Sequence, residues 1–154
     1  MVIRKITDND MDQLAEIWKD FMDFHQAMNP FFTRRPDGHE NFTTFALSLL
    51  EKEDFLLIGA FDGEIMAGYA LAQEACYPPV FLMDKYCMLT DIALAEKYRG
   101  QGVGKKLIET VKDWAREKGL NRMELRVAHE NTNARGFYEK MGFKDYLHQL
   151  SLDI

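Results

Sequence analysis

The stretch "LTDIALAEKYRGQGVGKKLIETVKDWA" runs from Leu89 to Ala115 and decides the fold. It begins as a β-rich run and ends as a helix. Val103, Leu107, Ile108, Val111, Trp114 and Ala115 form an apolar stripe at helical spacing. Between the two lie Gly100, Gly102 and Gly104, with Arg99, Gln101, Val103 and Lys105 around them. Alternating glycines let backbone N–H groups approach a ligand without side chains in the way. A helix N-terminus adds unpaired donors and the positive end of the helix dipole. Together they predict an anion site suited to phosphate, with Arg99 and Lys105 adding positive charge. The alternative is a tight turn with no ligand.

Two common phosphate loops are excluded by spacing. A Walker A loop needs a glycine five residues before Gly104 and a Ser or Thr after the lysine; positions 99 and 106 hold Arg99 and Lys106. The dinucleotide fingerprint needs a third glycine at position 105, which is Lys105. What remains is R-x-x-G-x-G, from Arg99 to Gly104, after a long strand.

Outward from this segment, "VIRK" (Val2–Lys5) reads as a strand. Thr7 then reads as a helix N-cap with Asp10 three residues on. Leu14, Ile17, Trp18, Phe21 and Met22 continue at helical spacing, to a stop near Asn29-Pro30. Phe31–Glu40 reads as loop, and Phe42 to Leu50 as a second short helix. Phe55–Gln73 reads as a hairpin turning at Asp62-Gly63. The prolines of "CYPPVF" interrupt it. Lys85–Leu94 is a strand, and the helix after the glycines closes at Gly119. Arg122–Ala128 alternates as a strand, Asn131–Phe143 is a short helix ending at Gly142, and "FKDYLHQLSLDI" is a last strand. The order β-α-α-β-β-β-α-β-α-β predicts an α/β mixed sheet with helices on both faces.

The chain has 154 residues, one domain's worth over 1–154. Its formal net charge is −6, which argues against a nucleic-acid partner and favours a cationic substrate. Cys76 and Cys87 lack metal-ligand spacing, so no metal is expected. Two free thiols, no signal-like N-terminus and no membrane-length apolar run give the expectation of a cytoplasmic protein without a membrane partner.

The Leu89–Ala115 segment resembles the acetyl-CoA-binding segment of the GNAT superfamily of N-acetyltransferases. "RVAHENTNARGFYEKMGF" (Arg126–Phe143) resembles the second half of that fold, and the order of elements extends the likeness over nearly the whole chain. The resemblance implies a central, mixed, mostly antiparallel sheet. It implies an enzyme that uses acetyl-CoA as co-substrate and a primary amine as acceptor, with homodimers common. Backbone amides from Gly100 to Lys105 would hold the pyrophosphate. The strand edge at Ile92, Ala93 and Leu94 would pair with the pantetheine arm, and the N–H of Ile92 or Ala93 would polarise the thioester carbonyl. Asn131 matches a position that contacts the arm. Tyr138 matches the general acid for the thiolate. Asp91 is the candidate base or substrate-orienting carboxylate, with a water relay to Asp91 or Tyr86 as an option. Polyamine acetyltransferases carry an additional Glu before this Asp; here it is Thr90.

Each candidate also has a purely structural reading. Asn131 is a natural helix N-cap. Tyr138 could be a core tyrosine. Arg135 reads as a solvated helix residue with the option of reaching a cofactor phosphate. His25 lies beside the loop expected to line the acceptor pocket and reads as packing more than catalysis. The aromatics of "FMDFHQAMNPFF" read mostly as core. Arg34 and Arg35 point to an acceptor bearing a carboxylate, whereas the net acidity points to a cationic one. The acceptor is a small-molecule amine first, and a protein N-terminus or lysine second. A non-catalytic acyl-CoA-binding regulatory module is the rival from another class.

Overall fold

The computed structural model describes residues 1–154. Five strands form one sheet in sequence order: β1 (Val2–Lys5), β2 (Phe55–Asp62), β3 (Ile65–Cys76), β4 (Lys85–Leu94) and β5 (Met123–Leu125). The first four pair antiparallel, and β5 runs parallel to β4. The helices are α1 (Met11–Met28), α2 (Gly38–Leu49), α3 (Val103–Glu117) and α4 (Thr132–Lys140).

Alternation along the strands builds two cores, because successive side chains point to opposite faces. Leu57 and Phe61 of β2 and Tyr69 and Leu71 of β3 pack under α1 and α2 with Leu14, Ile17 and Leu49. Leu56, Ile58, Ala70 and Ala72 face the other way, onto Leu107, Ile108 and Val111 of α3, with Phe137 and Tyr138 of α4 at the margin. The N-terminal turn is fixed by Asp10: its carboxylate accepts from Thr7 N–H and hydroxyl at 2.8 and 2.9 Å and from both Arg4 nitrogens at 2.7 and 2.9 Å. The Arg4 hydrogen bonds hold this carboxyl at about 2, against the upward push of burial.

The feature that positions the site is a bulge in β4. Leu71 lies opposite Asp91 but Ala72 lies opposite Leu89, so Thr90 is an extra residue. A one-residue insertion reverses every later side chain and backbone group. Before it, Cys87 and Leu89 face α3. After it, Ala93 lies in the α1/α2 core, and Asp91, opposite Leu71, shares that face. The bulge also ends the pairing with β5, which covers only Cys87, Met88 and Leu89. From Thr90 to Leu94, β4 pairs on one side only. Ala95 N–H donates to Ala67 O at 2.9 Å, so by alternation Ala93 also bonds toward β3. Ile92 and Leu94 therefore aim their N–H and C=O groups at the open edge.

Several boundaries differ from the sequence expectations. The hairpin turns at Gly63-Glu64, because Asp62 pairs with Ile65. Only Gly63 has positive φ (62°), which suits a turn with glycine first. The second helix starts at Gly38, taking in His39 from the expected loop. Arg122–Ala128 shrinks to Met123–Leu125, because β4 diverges beyond Leu89 and leaves no partner. The expected last strand is absent: residues 144–154 form no regular element. Its period-2 apolar set, including Tyr146, Leu150, Leu152 and Ile154, stands exposed. Alternation gives the capacity for a strand, but a ladder needs a partner edge, and β5 offers three residues.

Candidate active site

The open edge of β4 leads directly to the glycine loop. A short 3-10 turn, Glu96–Tyr98, links them, and Tyr98 OH donates to Asp62 Oδ2 at 3.1 Å, tying the loop to the hairpin. Gly100 and Gly102 have φ of 72° and 79°, a region that costs any residue with a Cβ. This reverses the chain so that α3 begins at Val103. The N–H groups of Gly100, Gln101, Gly102, Val103, Gly104 and Lys105 find no backbone acceptor, and the first helical bond is Lys106 N–H to Gly102 O at 3.1 Å. Six consecutive unpaired donors at a helix start form a cradle for an oxyanion-rich group. The side chains of the loop are otherwise engaged: Gln101 donates to Lys97 O at 2.6 Å, and Arg99 Nε donates to Leu94 O at 3.3 Å with its guanidinium 5.3 Å from the Phe24 ring centre. Gly104 differs from the other two: it has no positive φ, and a Cβ there would rest against Phe137 of α4 at 3.4 Å.

A glycine that sequence reading passed over is Gly68 on β3. A Cβ there would lie 2.5 Å from Ala93 O and 2.4 Å from a Leu94 methyl. Only glycine lets β3 approach β4 this closely beside the open edge. Its place inside an alternating strand was the available signal.

On the α1 face of the edge, Tyr69 OH donates to Asp91 Oδ2 at 3.5 Å. Burial pushes the Asp91 carboxyl up to about 6, with the Tyr69 hydrogen bond and the charge of His25 pulling it partly back. Tyr69 is fully buried, and burial together with Asp91 drives its hydroxyl well above the ordinary value. Tyr138, half-buried on α4, is pushed up to about 12 by burial first and then by the charge of Asp91. The Asp91 charge thus reaches Tyr138 across the sheet. Such a tyrosine stays protonated at neutral pH and can give a proton.

Asn131 is buried and caps α4: its Oδ1 accepts from Ala134 N–H at 3.2 Å. Its amide nitrogen stays available. Arg135 lies 3.7 Å from Asp145 of the C-terminal segment, which already engages its charge. Tyr86 is stacked on Tyr77 at 4.2 Å. It sits five residues before Asp91, about 16 Å away along the strand, so it does not join the site. Arg34 and Arg35 are each paired with a carboxylate, Asp23 at 2.8 Å and Asp37 at 3.0 Å. The aromatics after residue 20 are less buried than expected, with Phe24 and Phe31 exposed. Phe21, Phe24 and Phe32 instead surround His25, with ring centres 4.3, 5.6 and 5.5 Å from it. No helix is long and apolar enough to cross a membrane.

Comparison with known proteins matches this arrangement. The family model described as "Acetyltransferase (GNAT) family" covers residues 14–143. L-ornithine N5-acetyltransferase NATA1 of Arabidopsis thaliana is 32% identical over 127 residues, 79% of this chain and 53% of that protein. An uncharacterized N-acetyltransferase of Archaeoglobus fulgidus is 25% identical over 138 residues, covering 90% of this chain and 89% of its own. The chain spans about half the length of the plant relative. Among solved structures, the BH1408 protein of Bacillus halodurans, crystallised as a tetramutant, superposes with a TM-score of 0.90 at 20% identity over the whole of both chains. AAC(6')-Iy in complex with the bisubstrate analog CoA-S-monomethyl-acetylneamine gives 0.75 at 19% identity, over 99% of this chain and 97% of that one. With the family model spanning both helical layers and the glycine loop between them, the chain belongs to the GNAT acetyltransferase family.

Proposed function

We propose that this chain, as one domain, transfers an acetyl group from acetyl-CoA to a primary amine by direct attack in a ternary complex. One observation carries the reading: a six-donor cradle opens beside an unpaired strand edge, and the half-buried carboxylate of Asp91 stands on that edge against Tyr69. Acetyl-CoA fits both parts. Its diphosphate suits the N–H groups of Gly100–Lys105, and its amide-bearing arm suits the backbone of Ile92 and Leu94 as an added strand. The Arg99 contact with Leu94 O must open for the arm to pair there. The relative named for ornithine N5 acetylation and the neighbour complexed with a CoA analog support an acyl-CoA donor and an amine acceptor.

Acetyl-CoA supplies a thioester, an acetyl group activated toward nitrogen. The chain supplies the rest. Of the two candidates for the oxyanion donor, Ile92 is the one whose N–H faces the gap, since Ala93 bonds to β3. Tyr138 gives its proton to the departing sulfur. Asp91 orients the ammonium of the acceptor. Holding both substrates in line lowers the barrier by about 7–11 kcal/mol. The acceptor is a small cationic amine: Arg34 and Arg35 are neutralised by their own partners, whereas Asp91 has no ion-pair partner.

The test is thiol release from acetyl-CoA against polyamines, amino acids, aminoglycosides and short peptides, with Tyr138→Phe run beside the wild type. The expected result is turnover with cationic amines and about a 10²-fold slower variant. Acetyl-CoA binding without turnover on any amine would favour the regulatory module instead.

A further inference from the structure

His25 has the geometry of a committed proton acceptor. Its Nδ1 lies 2.8 Å from Phe21 O, four residues back on α1. A carbonyl only accepts, so Nδ1 carries the hydrogen and the neutral ring keeps its lone pair on Nε2. The two nitrogens point in roughly opposite directions, so Nε2 is directed away from its own helix. Nε2 has no partner in the protein, yet it is not among the buried unpaired atoms. It is therefore open to an incoming molecule. The rings of Phe21, Phe24 and Phe32 hold the imidazole in place, and Phe24 places it beside the open edge, since Arg99 stands 5.3 Å from the Phe24 ring centre and donates to Leu94 O at 3.3 Å; the charge of His25 acts to lower the Asp91 carboxyl.

We propose that the His25 Nε2 takes the proton from the acceptor ammonium, and that Asp91 faces the resulting imidazolium and holds it. This rests on the amine-acetylation reading above. The protons balance. One leaves the ammonium for Nε2, freeing the nitrogen lone pair to form the C–N bond. The C–S bond breaks with its electron pair on sulfur, and Tyr138 supplies that sulfur with a proton. The second proton of the attacking nitrogen restores Tyr138, and His25 releases its own to water. The sequence offered His25 only as a lone histidine near a pocket. The Phe21 carbonyl fixes its tautomer, and the Thr90 bulge turns Asp91 to its face.

The charged and titratable groups on the elements around His25 are Asp91 from β4, Tyr69 from β3, which hydrogen-bonds Asp91, and Tyr138 from α4, whose hydroxyl the Asp91 charge raises. Arg99 reaches over Phe24 from the glycine loop, and Arg34 after α1 is tied to Asp23. Only Asp91 among these carries an uncompensated negative charge.

Two measurements decide the proposal. First, histidine-ring nitrogen NMR of the folded protein, titrated in the wild type and in Asp91→Asn. The expected result is an Nδ1–H tautomer whose titration midpoint falls by half a pH unit or more when the carboxylate is lost; an unmoved midpoint overturns the pairing. Second, acetylation of ethylamine and of 2,2,2-trifluoroethylamine by wild type and His25→Asn. Asn keeps a donor for the Phe21 carbonyl but has no basic nitrogen. The variant should lose about 10²-fold on ethylamine and under fivefold on the fluorinated amine, which is already deprotonated at neutral pH. Added imidazole should restore the ethylamine rate. Equal losses on both amines would mean that His25 only packs, and would overturn the proposal. A wild type that acetylates neither would count against the amine reading itself, while the NMR titration still judges the His25–Asp91 pair.

Discussion

The two halves of β4 have similar composition and opposite fates. Cys87, Met88 and Leu89 are paired on both sides, to β3 and to β5. Asp91 to Leu94 are paired on one side only. A single inserted residue, Thr90, separates them. The first half is scaffold, with Cys87 and Leu89 sealed beneath α3 and the Cys87 thiol pushed up to about 11 by burial. The second half exposes backbone groups that a sheet normally consumes. An unsatisfied edge next to a core is costly unless something pairs with it, and the glycine loop lies at its end. A binding edge can thus be made by stopping a ladder early rather than by adding residues.

Proline substitution should break this comparison most strongly. Ile92→Pro removes an N–H that points into the gap, so the fold should survive while acetyl transfer falls by about 10²–10³. Ala93→Pro removes an N–H that bonds to β3 and should cost the fold itself, seen as loss of the cooperative thermal transition. Equal behaviour of the two variants would mean that the edge is assigned to the wrong residues.

Gly68→Ala tests the close approach of β3 behind the edge. Its Cβ would press on Ala93 O at 2.5 Å, and the ladder must shift. The expected cost is about 1–3 kcal/mol in denaturant unfolding, with a weaker hold on acetyl-CoA. An unchanged midpoint would show that the strands part freely.

Asp91→Asn sharpens the contrast between a residue kept for stability and one kept for chemistry. The Asp91 carboxyl is raised to about 6. A raised acid costs nothing below its ordinary value near 4, and the cost of ionising it grows as pH rises through 6. The variant should therefore match the wild type at pH 4 and exceed it at pH 8 by about 1–2 kcal/mol, discounted for partial exposure, while acetyl transfer falls. Asp10→Asn should do the reverse. The Asp10 carboxyl is lowered to about 2, so its stabilisation is present above pH 4 and fades as pH falls toward 2. Its loss should cost about 1–2 kcal/mol at pH 7 once the exposure of Arg4 is discounted.

The sequence made some of this legible. The glycine loop, α3, α4 and the β4 limits followed from periodicity and from residues such as Gly119, whose φ of 73° ends α3. The family resemblance added roles for Tyr138 and Asn131 that spacing could not assign. The Thr90 bulge was invisible, because one extra residue in a run of mixed polarity leaves alternation readable in either phase. The shortening of β5 follows from that bulge, so it was hidden for the same reason. The missing last strand had the right alternation and no edge to join. Arg34 suggested a carboxylate site only because its partner Asp23, eleven residues away, becomes a neighbour after folding, whereas Asp37, two residues from Arg35, was already in view. His25 became informative through Phe21 O, a backbone contact that residue identity does not encode.

Residue-resolved amide hydrogen exchange across β4, with and without acetyl-CoA, tests the central claim most directly. Binding of the arm along the open edge predicts that Ile92 and Leu94 slow markedly when acetyl-CoA is added. Ala93, already bonded to β3, should change little. If Ile92 and Leu94 exchange at the same rate in both states while acetyl-CoA is bound, the open edge of β4 does not hold the arm, and the account built on it is wrong.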